Sequence, residues 1–367
     1  VLTLGPDPGL IREQVDGVTV WRAGHGNVGW NFGAERLPLW KRTLWHLADV
    51  YNPLMMKTVR HVVDMERPDI VCIHNLTGWT ASIWSELHRM GIPIVQVLHD
   101  QYLLCIRSNM FDAGHTCQRQ CIKCKMMRLF HPRLSRQVSA VVGVSGFILD
   151  KLLRNGYFAN VPIREVIRNA RHIPNHGVFG DNAGREAGRV DFGYIGSLLS
   201  IKGIELLLET FARDAHQDWF LTVAGTGKRE YDDSLRRRYA HPRIDFMGRV
   251  SPEKFFRKVD VTVVPSLVED TLPGVVLESL CFGLPVIGSQ RGGIPEMVRE
   301  GVTGVLFDPE EPEGLTASMS AVAARIDDWR SAAPAIRENA RQLCDMDGWT
   351  ERWISLYQRV INGHTDV

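Results

Sequence analysis

Short runs of β-branched and aliphatic residues alternate with longer stretches of helical periodicity along the whole chain, which predicts parallel α/β layers. In the first half, strands are expected at "VTVWRA" (18–23), "DIVCIHN" (69–75), "PIVQVLH" (93–99) and "AVVGVS" (140–145). Between them, "LWKRTLWHLADVYNPLMMKTVRHVVDM", "TASIWSELHRMG" and "GFILDKLLRNG" predict helices, the last two closed by Gly91 and Gly156. Periodicity disappears across "IPNHGVFGDNAGREAGR" (173–189), where Gly, Asn and Pro accumulate as in an interdomain linker. Strands then resume at "VDFGYIG" (190–196), "WFLTVAG" (219–225), "RIDFMG" (243–248), "VTVVPS" (261–266), "LPVIGS" (284–289) and "GVLFD" (304–308). Helices are expected at 203–213, 228–240, 252–258, 274–282 and 293–300, and one more in "WTERWISLYQRVI". Two Rossmann-like, doubly wound α/β domains follow, at 1–175 and 176–345, with a terminal helix at 346–367 packing back on the first. Such sheets bind ligands beyond the carboxyl ends of their strands, so the two would face a shared cleft.

Composition narrows the class. Of 367 residues, 44% are hydrophobic and 23% charged, as in a globular protein, and no apolar run approaches the about 18–20 residues that span a bilayer. A net charge of +1 supplies no global field for nucleic acid, so anions must be bound locally. Nothing near Val1 reads as a signal peptide, and the expected location is the cytoplasm. The seven cysteines are too few for a disulfide scaffold; Cys72 and Cys281 lie in apolar runs and are expected in the core. Cys105, Cys117, Cys121 and Cys124 cluster in "CIRSNMFDAGHTCQRQCIKCK", and the last pair has the spacing at which two thiolates share a metal. A structural zinc and a loop of reduced thiols are both open, since the last three are crowded for a four-thiolate site with Cys105. "LPLWKRTLWHLADVYNPLMMKTVR" places Trp40, Trp45, Met55 and Met56 among basic residues, which suits a core-facing helix pair or a peripheral contact with the inner membrane surface.

The densest candidate chemistry is "VEDTLPGVVLES" (268–279). Pro273 and Gly274 predict a turn into a helix whose first amides form an anion site, with Glu278 about one turn further on, within reach of a sugar hydroxyl. On this stretch alone Asp270 and Glu278 read equally well as a turn residue and an exposed helix position.

This stretch, with "GYIGSLLSIKGIELLLETF", "LTVAGTGKREY", "IDFMGRVSPEKFF", "VTVVPS" and "CFGLPVIGSQRGGIPEMVREGVTGVLFDP", resembles the retaining glycosyltransferases of family 4, which have the GT-B fold. The likeness covers nearly all of 190–310, and the family's Glu-x7-Glu spacing from Glu278 falls on Asp270, not on Glu269. The resemblance implies sugar transfer from a nucleotide diphosphate donor, UDP- or GDP-linked, to a saccharide or lipid-linked acceptor in polysaccharide or glycoconjugate biosynthesis. It implies that Lys202 holds the diphosphate, that the Val275 and Val276 amides meet phosphate, that Glu278 bonds the ribose hydroxyls and that Asp270 contacts the transferred sugar. Gly196, Gly225 and Gly274 belong to the same donor loops, and Ser197 stands where many relatives have an arginine. Arg249, ahead of Lys228, is the candidate replacement cation. In the first half His99 takes the place of a family histidine beside the reacting sugar, and His74, Asn75 and Asp100 lie at neighbouring strand ends on the acceptor side. Ser145 reads as a helix cap.

Retention by front-face attack, with the leaving phosphate taking the acceptor proton, needs neither an enzymic nucleophile nor a catalytic metal. "DMD" at 345–347, in a Gly-containing stretch near the chain end, is discounted as a metal motif. "VLTLGPDPG" resembles the family's second strand, so the first domain would lack its first strand and glycine loop. Two competing readings remain. A nucleotide-sugar epimerase on this fold would need no acceptor, and a catalytically silent nucleotide-sugar-binding protein would show binding without transfer or hydrolysis.

Overall fold

The computed structural model describes residues 1–24, 26–27, 38–171, 188–344 and 346–365. The linker expected at 173–189 lies outside the described residues but for its last two, and so does Asp345. The chain forms two compact units, one of Val1–Met110, Cys117–Ile167 and Arg352–Val367, the other of Phe111–Thr116 and Arg168–Glu351.

The first unit holds a four-stranded parallel sheet in the order Val71–Ile73, Ile94–Leu98, Ala140–Gly143, Ile163–Val166. Every residue of Ile94–Leu98 is buried, as expected of a strand covered on both faces. The helix Ser82–Arg89 turns Ile83, Trp84 and Leu87 inward, and Trp84 Nε1 donates to Gln96 Oε1 at 2.9 Å. Its buried Glu86 is held by Arg60 and, at 2.6 Å, by Arg89. Gly91 and Gly156 have φ of 71° and 81°, the left-handed backbone that ends a helix without steric cost only when Cβ is absent. A separate sheet pairs Val18–Gly24 with Leu2–Gly5 in parallel and with Leu10–Val15 antiparallel; the first was expected from its apolar run and the second lies in the stretch that resembles the family's second strand, while Leu10–Val15 was not expected.

The long helical pattern after residue 38 is broken in two, Leu39–Ala48 and Pro53–Glu66. Asn52 caps the second, its Oδ1 accepting from the Leu54 and Met55 amides at 3.1 and 3.3 Å. Trp45, Met55 and Met56 are buried while Trp40 points outward, so this pair is mainly core-facing. The terminal helix Met346–Thr365 belongs with this unit from Arg352 on; Arg359 pairs with Glu165 at 2.6 Å and His364 Nε2 meets Gly91 O at 2.9 Å.

The second unit is a six-stranded parallel sheet in the order Ile244–Gly248, Trp219–Ala224, Val190–Ile195, Val261–Val264, Val286–Ser289, Gly304–Phe307. The order reverses direction between Val190–Ile195 and Val261–Val264, which places the switch point, and hence a ligand site, beyond their carboxyl ends. Phe192, Ile204, Leu207, Val261, Leu277 and Leu280 fill its core. The expected helix at 293–300 is instead a single turn, Ile294–Glu296. Pro295 is tolerated in that first turn, but the Arg299 amide is taken by Thr303 Oγ1 at 2.8 Å, which diverts it from continuing the helix. Gly314–Ala323, whose apolar stripe is weak, Ile326–Ser331 and Ala333–Cys344 are further helices in an alanine-rich stretch. A small antiparallel hairpin, Phe111–Asp112 with His115–Thr116, also belongs here, its Thr116 Oγ1 donating to Leu267 O at 3.3 Å.

Candidate functional site

At the switch point of the second unit a cavity of about 230 Å3 is lined by Gly196, Ser197, Lys202, Ser266, Asp270 and Val275, among others. Lys202 sits in the short turn Ser200–Lys202, ended by Gly203 with φ of 74°. A Cβ on Gly203 would lie 1.8 Å from Pro265 O, so only glycine lets this loop close on the neighbouring strand end. The Lys202 ammonium contacts Asp270 Oδ1, and Ser266 Oγ donates to Oδ2 at 2.6 Å. Ser266 is buried and is held in turn, its carbonyl accepting from Ser289 Oγ at 2.7 Å. Asp270 is thus fixed from both oxygens, and its backbone carbonyl accepts from Gly293 N at 2.7 Å. Glu269 is half-buried beside it and does not line the cavity.

The helix Gly274–Cys281 begins at this cavity with Pro273 before it. Two amides were expected to meet phosphate. In the structure the Val276 amide donates to Pro273 O at 3.1 Å within a tightened first turn. Among the described residues, the amides of Gly274 and Val275 have no internal acceptor. Glu278 lies about one turn on and faces Arg171 Nε at 3.8 Å, a guanidinium the sequence reading missed because it is remote along the chain. Gly225 and Arg249 follow the strands Trp219–Ala224 and Ile244–Gly248, outside the cavity lining. Arg249 and Lys228 are both exposed, and among the described residues neither has an ion-pair partner.

Gly292 carries a testable part of this geometry. With φ of 61° and a would-be Cβ only 2.0 Å from Asp270 O, Gly292→Ala must push the Asp270 backbone aside. We expect a fall in kcat/KM of about a hundredfold, the usual consequence of misplacing a site group by an ångström. The strain would also lower stability by about 1–3 kcal/mol, readable as a melting shift. Undiminished activity would mean that Asp270 does not act.

In the first unit, His74, Asn75, His99, Asp100 and Tyr102 share a shallow pocket at the ends of Val71–Ile73 and Ile94–Leu98. His74 Nδ1 and His99 Nε2 are 2.9 Å apart with rings stacked at 5.2 Å, and Cys72 Sγ lies 3.6 Å from His74 Nε2. Cys72 is only half-buried and interacts with Tyr357, so it belongs to this polar chain and not to the core as expected; Cys281 is buried. Burial lowers the pKa of His74, whose outer edge remains exposed while Trp353 packs on its ring. Burial and then the neighbouring charge of His74 lower that of His99. Asn75 and Asp100 close local turns, accepting from Thr77 N at 2.8 Å and Tyr102 N at 2.7 Å, and burial raises the Asp100 pKa. Ser145 caps the helix Gly146–Arg154, accepting from Ile148 N at 3.4 Å.

Beneath this pocket, Asp49 is buried and accepts from Tyr102 Oη at 2.6 Å and Gly78 N at 2.9 Å, with Arg128 Nη1 at 3.7 Å. Burial outweighs these partners and raises its pKa to about 6. The folded state therefore holds this proton up to about pH 6 while the unfolded chain releases it near 3.8, so the Asp49 contribution to stability grows as pH falls through 6 and levels off below 3.8. Relative to wild type, Asp49→Asn should flatten the stability profile between pH 7.5 and 5 by about 1 kcal/mol or more, measured by urea unfolding. Parallel profiles would show that Asp49 ionises normally.

The cysteine loop is only partly gathered. Cys124 and Cys105 sulfurs lie 3.9 Å apart, and Cys121 caps the helix Ile122–Met127, its sulfur accepting from Cys124 N at 3.4 Å. The Cys124 thiol and the Arg107, Asn109 and Met110 amides lower the Cys105 pKa, and the same pairing and burial raise that of Cys124. Cys117 is half-buried with its amide on Met110 O at 2.7 Å. Among the described residues no three His, Cys, Asp or Glu side chains converge as metal ligands do.

With this geometry in view, the chain was compared with known proteins. The family model for glycosyl transferases group 1 matches residues 189–325, and that for a glycosyl transferase 4-like domain matches 1–169. An uncharacterized 42.6 kDa protein of the Klebsiella pneumoniae cps region is 24% identical over 286 residues, covering 77% of this chain and 74% of that protein. Sucrose-phosphate synthase from Thermosynechococcus elongatus superposes with a TM-score of 0.76 at 18% identity, covering 99% of this chain and 88% of its own. Anabaena HepE in complex with UDP and glucose superposes with a TM-score of 0.67 at 18% identity, covering 93% of this chain and 86% of its own. The fold class is GT-B.

Proposed function

Because this chain belongs to the group 1, family 4-like glycosyltransferases, enzymes that transfer sugars, we propose that it moves a sugar with retention from a nucleoside diphosphate donor to a saccharide or lipid-linked acceptor. The observation that carries this reading is the Lys202–Asp270–Ser266 arrangement facing the Gly274 and Val275 amides across one cavity. A diphosphate there meets an ammonium and a helix start, both of which favour negative charge. As the sugar bond breaks, charge grows on the diphosphate oxygens, and fixed donors stabilise that growth without having to reorganise. The leaving diphosphate accepts the acceptor proton, the new glycosidic bond forms on the face it leaves, and the nucleoside diphosphate departs. Asp270, pinned by Ser266, holds hydroxyls of the transferred sugar, and Glu278 the ribose hydroxyls. His99 and His74 serve the acceptor side. A uridine donor is favoured by HepE, solved with UDP at the same fold.

The test is a thermal-stability titration with UDP, GDP, ADP and their common sugar conjugates. A ligand at about a hundred times its Kd should stabilise the protein by about 2.7 kcal/mol. A shift for one base that disappears in Lys202→Ala and Glu278→Ala supports the donor site. A shift that survives both variants places the nucleotide elsewhere and overturns the assignment.

A further inference from the structure

We propose that the segment Ile122–Phe130 docks the protein on an anionic lipid surface. It is turned inside out relative to an ordinary surface helix. Its inward positions are Cys124 and Arg128, both buried, and Arg128 Nε donates to Tyr102 O at 3.0 Å with its guanidinium 4.1 Å from the Tyr102 ring centre. Its outward positions are Ile122, Met126, Leu129 and Phe130, with 80%, 70%, 61% and 60% of their surface exposed. These fall four, seven and eight residues after Ile122, one face of a helical path, so the apolar groups form a single patch. A lone exposed Leu needs no explanation, but four large apolar side chains on one face mark an interaction surface.

The surrounding charge selects the partner. Arg119, Lys123, Lys125, Arg133 and Arg136 are exposed on the same stretch of chain, and there is no Asp or Glu anywhere from 119 to 136. Among the described residues none of these five has an ion-pair partner. A second copy of this chain seated by a two-fold axis would set this cationic rim against itself. An anionic bilayer supplies the opposite charge at the rim and hydrocarbon for the centre, the composition expected of an interfacial segment. Among the described residues no helix is long and apolar enough to cross a membrane, so the contact would be peripheral. The patch differs from the Trp40 segment singled out in the sequence, whose Met55 and Met56 are buried.

The inner side of the segment leads to the acceptor pocket. Arg128 grips the Tyr102 carbonyl, and the Tyr102 amide holds Asp100, next to His99. Docking stands on the surface alone; its use in presenting a lipid-linked acceptor rests on the transferase reading above.

Co-sedimentation of the full chain with phosphatidylglycerol-containing vesicles and with pure phosphatidylcholine vesicles tests it. Wild type should bind the former, lose binding as salt rises, and bind the latter weakly. Ile122→Ser/Met126→Ser/Leu129→Ser/Phe130→Ser should weaken binding by about tenfold or more, Phe130→Ser alone by less, and Lys123→Gln/Lys125→Gln should weaken only the anionic component. All these side chains are exposed, and an unchanged melting temperature confirms that each variant is folded. No binding of wild type to anionic vesicles, or equal binding by the fourfold variant, overturns the proposal. So does a wild-type dimer that the fourfold variant converts to monomer, since the patch then belongs to a second copy. The UDP melting shift, followed on the same samples, reads the transferase assignment separately.

Discussion

Lys202→Ala is expected to lower kcat/KM for sugar transfer by about a thousandfold, the upper end of what one fixed donor to developing charge contributes. Lys202 is the cation in a cavity whose other polar walls are hydroxyls, amides and the Asp270 carboxylate. On the proposed function, removing it would take away the diphosphate's counter-charge and would also leave Asp270, only 16% exposed, with Ser266 as its remaining side-chain hydrogen-bond partner among the described residues. That uncompensated carboxylate would repel the donor, so KM should rise as kcat falls. Lys202→Arg, which keeps the charge, should recover part of kcat/KM but not all, because a planar guanidinium cannot reproduce the ammonium's approach within the Gly203 turn. The measurement is sugar nucleotide turnover with the released nucleoside diphosphate quantified. An alanine variant within about tenfold of wild type would remove Lys202 from the mechanism.

His99→Ala is expected to lower kcat by about a hundredfold or more, and the pH profile is its distinctive reading. Burial lowers the His99 pKa from its ordinary 6.5, so the imidazole is neutral at pH 7, and in the proposed reaction it would position hydroxyls as a neutral hydrogen-bonding group. Activity carried by the neutral form is lost as pH falls through the folded pKa, which puts the acid limb of kcat/KM below pH 6.5. His74→Asn removes the neighbouring charge that also lowers that pKa, so the limb should move up towards 6.5 with a smaller loss of rate. If His99→Ala leaves the acid limb where it was, another group titrates there and His99 has no part in it.

Much of the fold was legible because its signal is local. Buried parallel strands such as Ile94–Leu98 and Val261–Val264 are continuous apolar runs, and Gly91 and Gly156 mark helix ends by a torsion that other residues resist. The helix expected at 293–300 failed because the Thr303 hydroxyl takes the Arg299 amide, a bond that acts against a pattern periodicity alone would extend. The candidate site divides the same way. Lys202, Asp270 and Glu278 stand at motif spacing and were singled out, and the structure joins the first two. Ser266, Arg171, Tyr357 and Arg128 were not, since each reaches its partner through tertiary contact that no spacing announces. Cys72 shows the limit most plainly: an apolar neighbourhood predicted a core thiol, but the sulfur lies against the His74 imidazole just beyond the strand.

The hairpin Phe111–Thr116 bears on how such proteins can be recombined. It lies within the N-terminal half of the sequence yet belongs to the second unit. A chimera that exchanged the second unit by swapping everything after residue 167 would therefore leave six residues of the old module behind. The Leu267 carbonyl, next to the loop that carries Asp270, would then meet a foreign residue in place of Thr116. Sequence exchange that respects the physical module has to carry 111–116 along with 168–351.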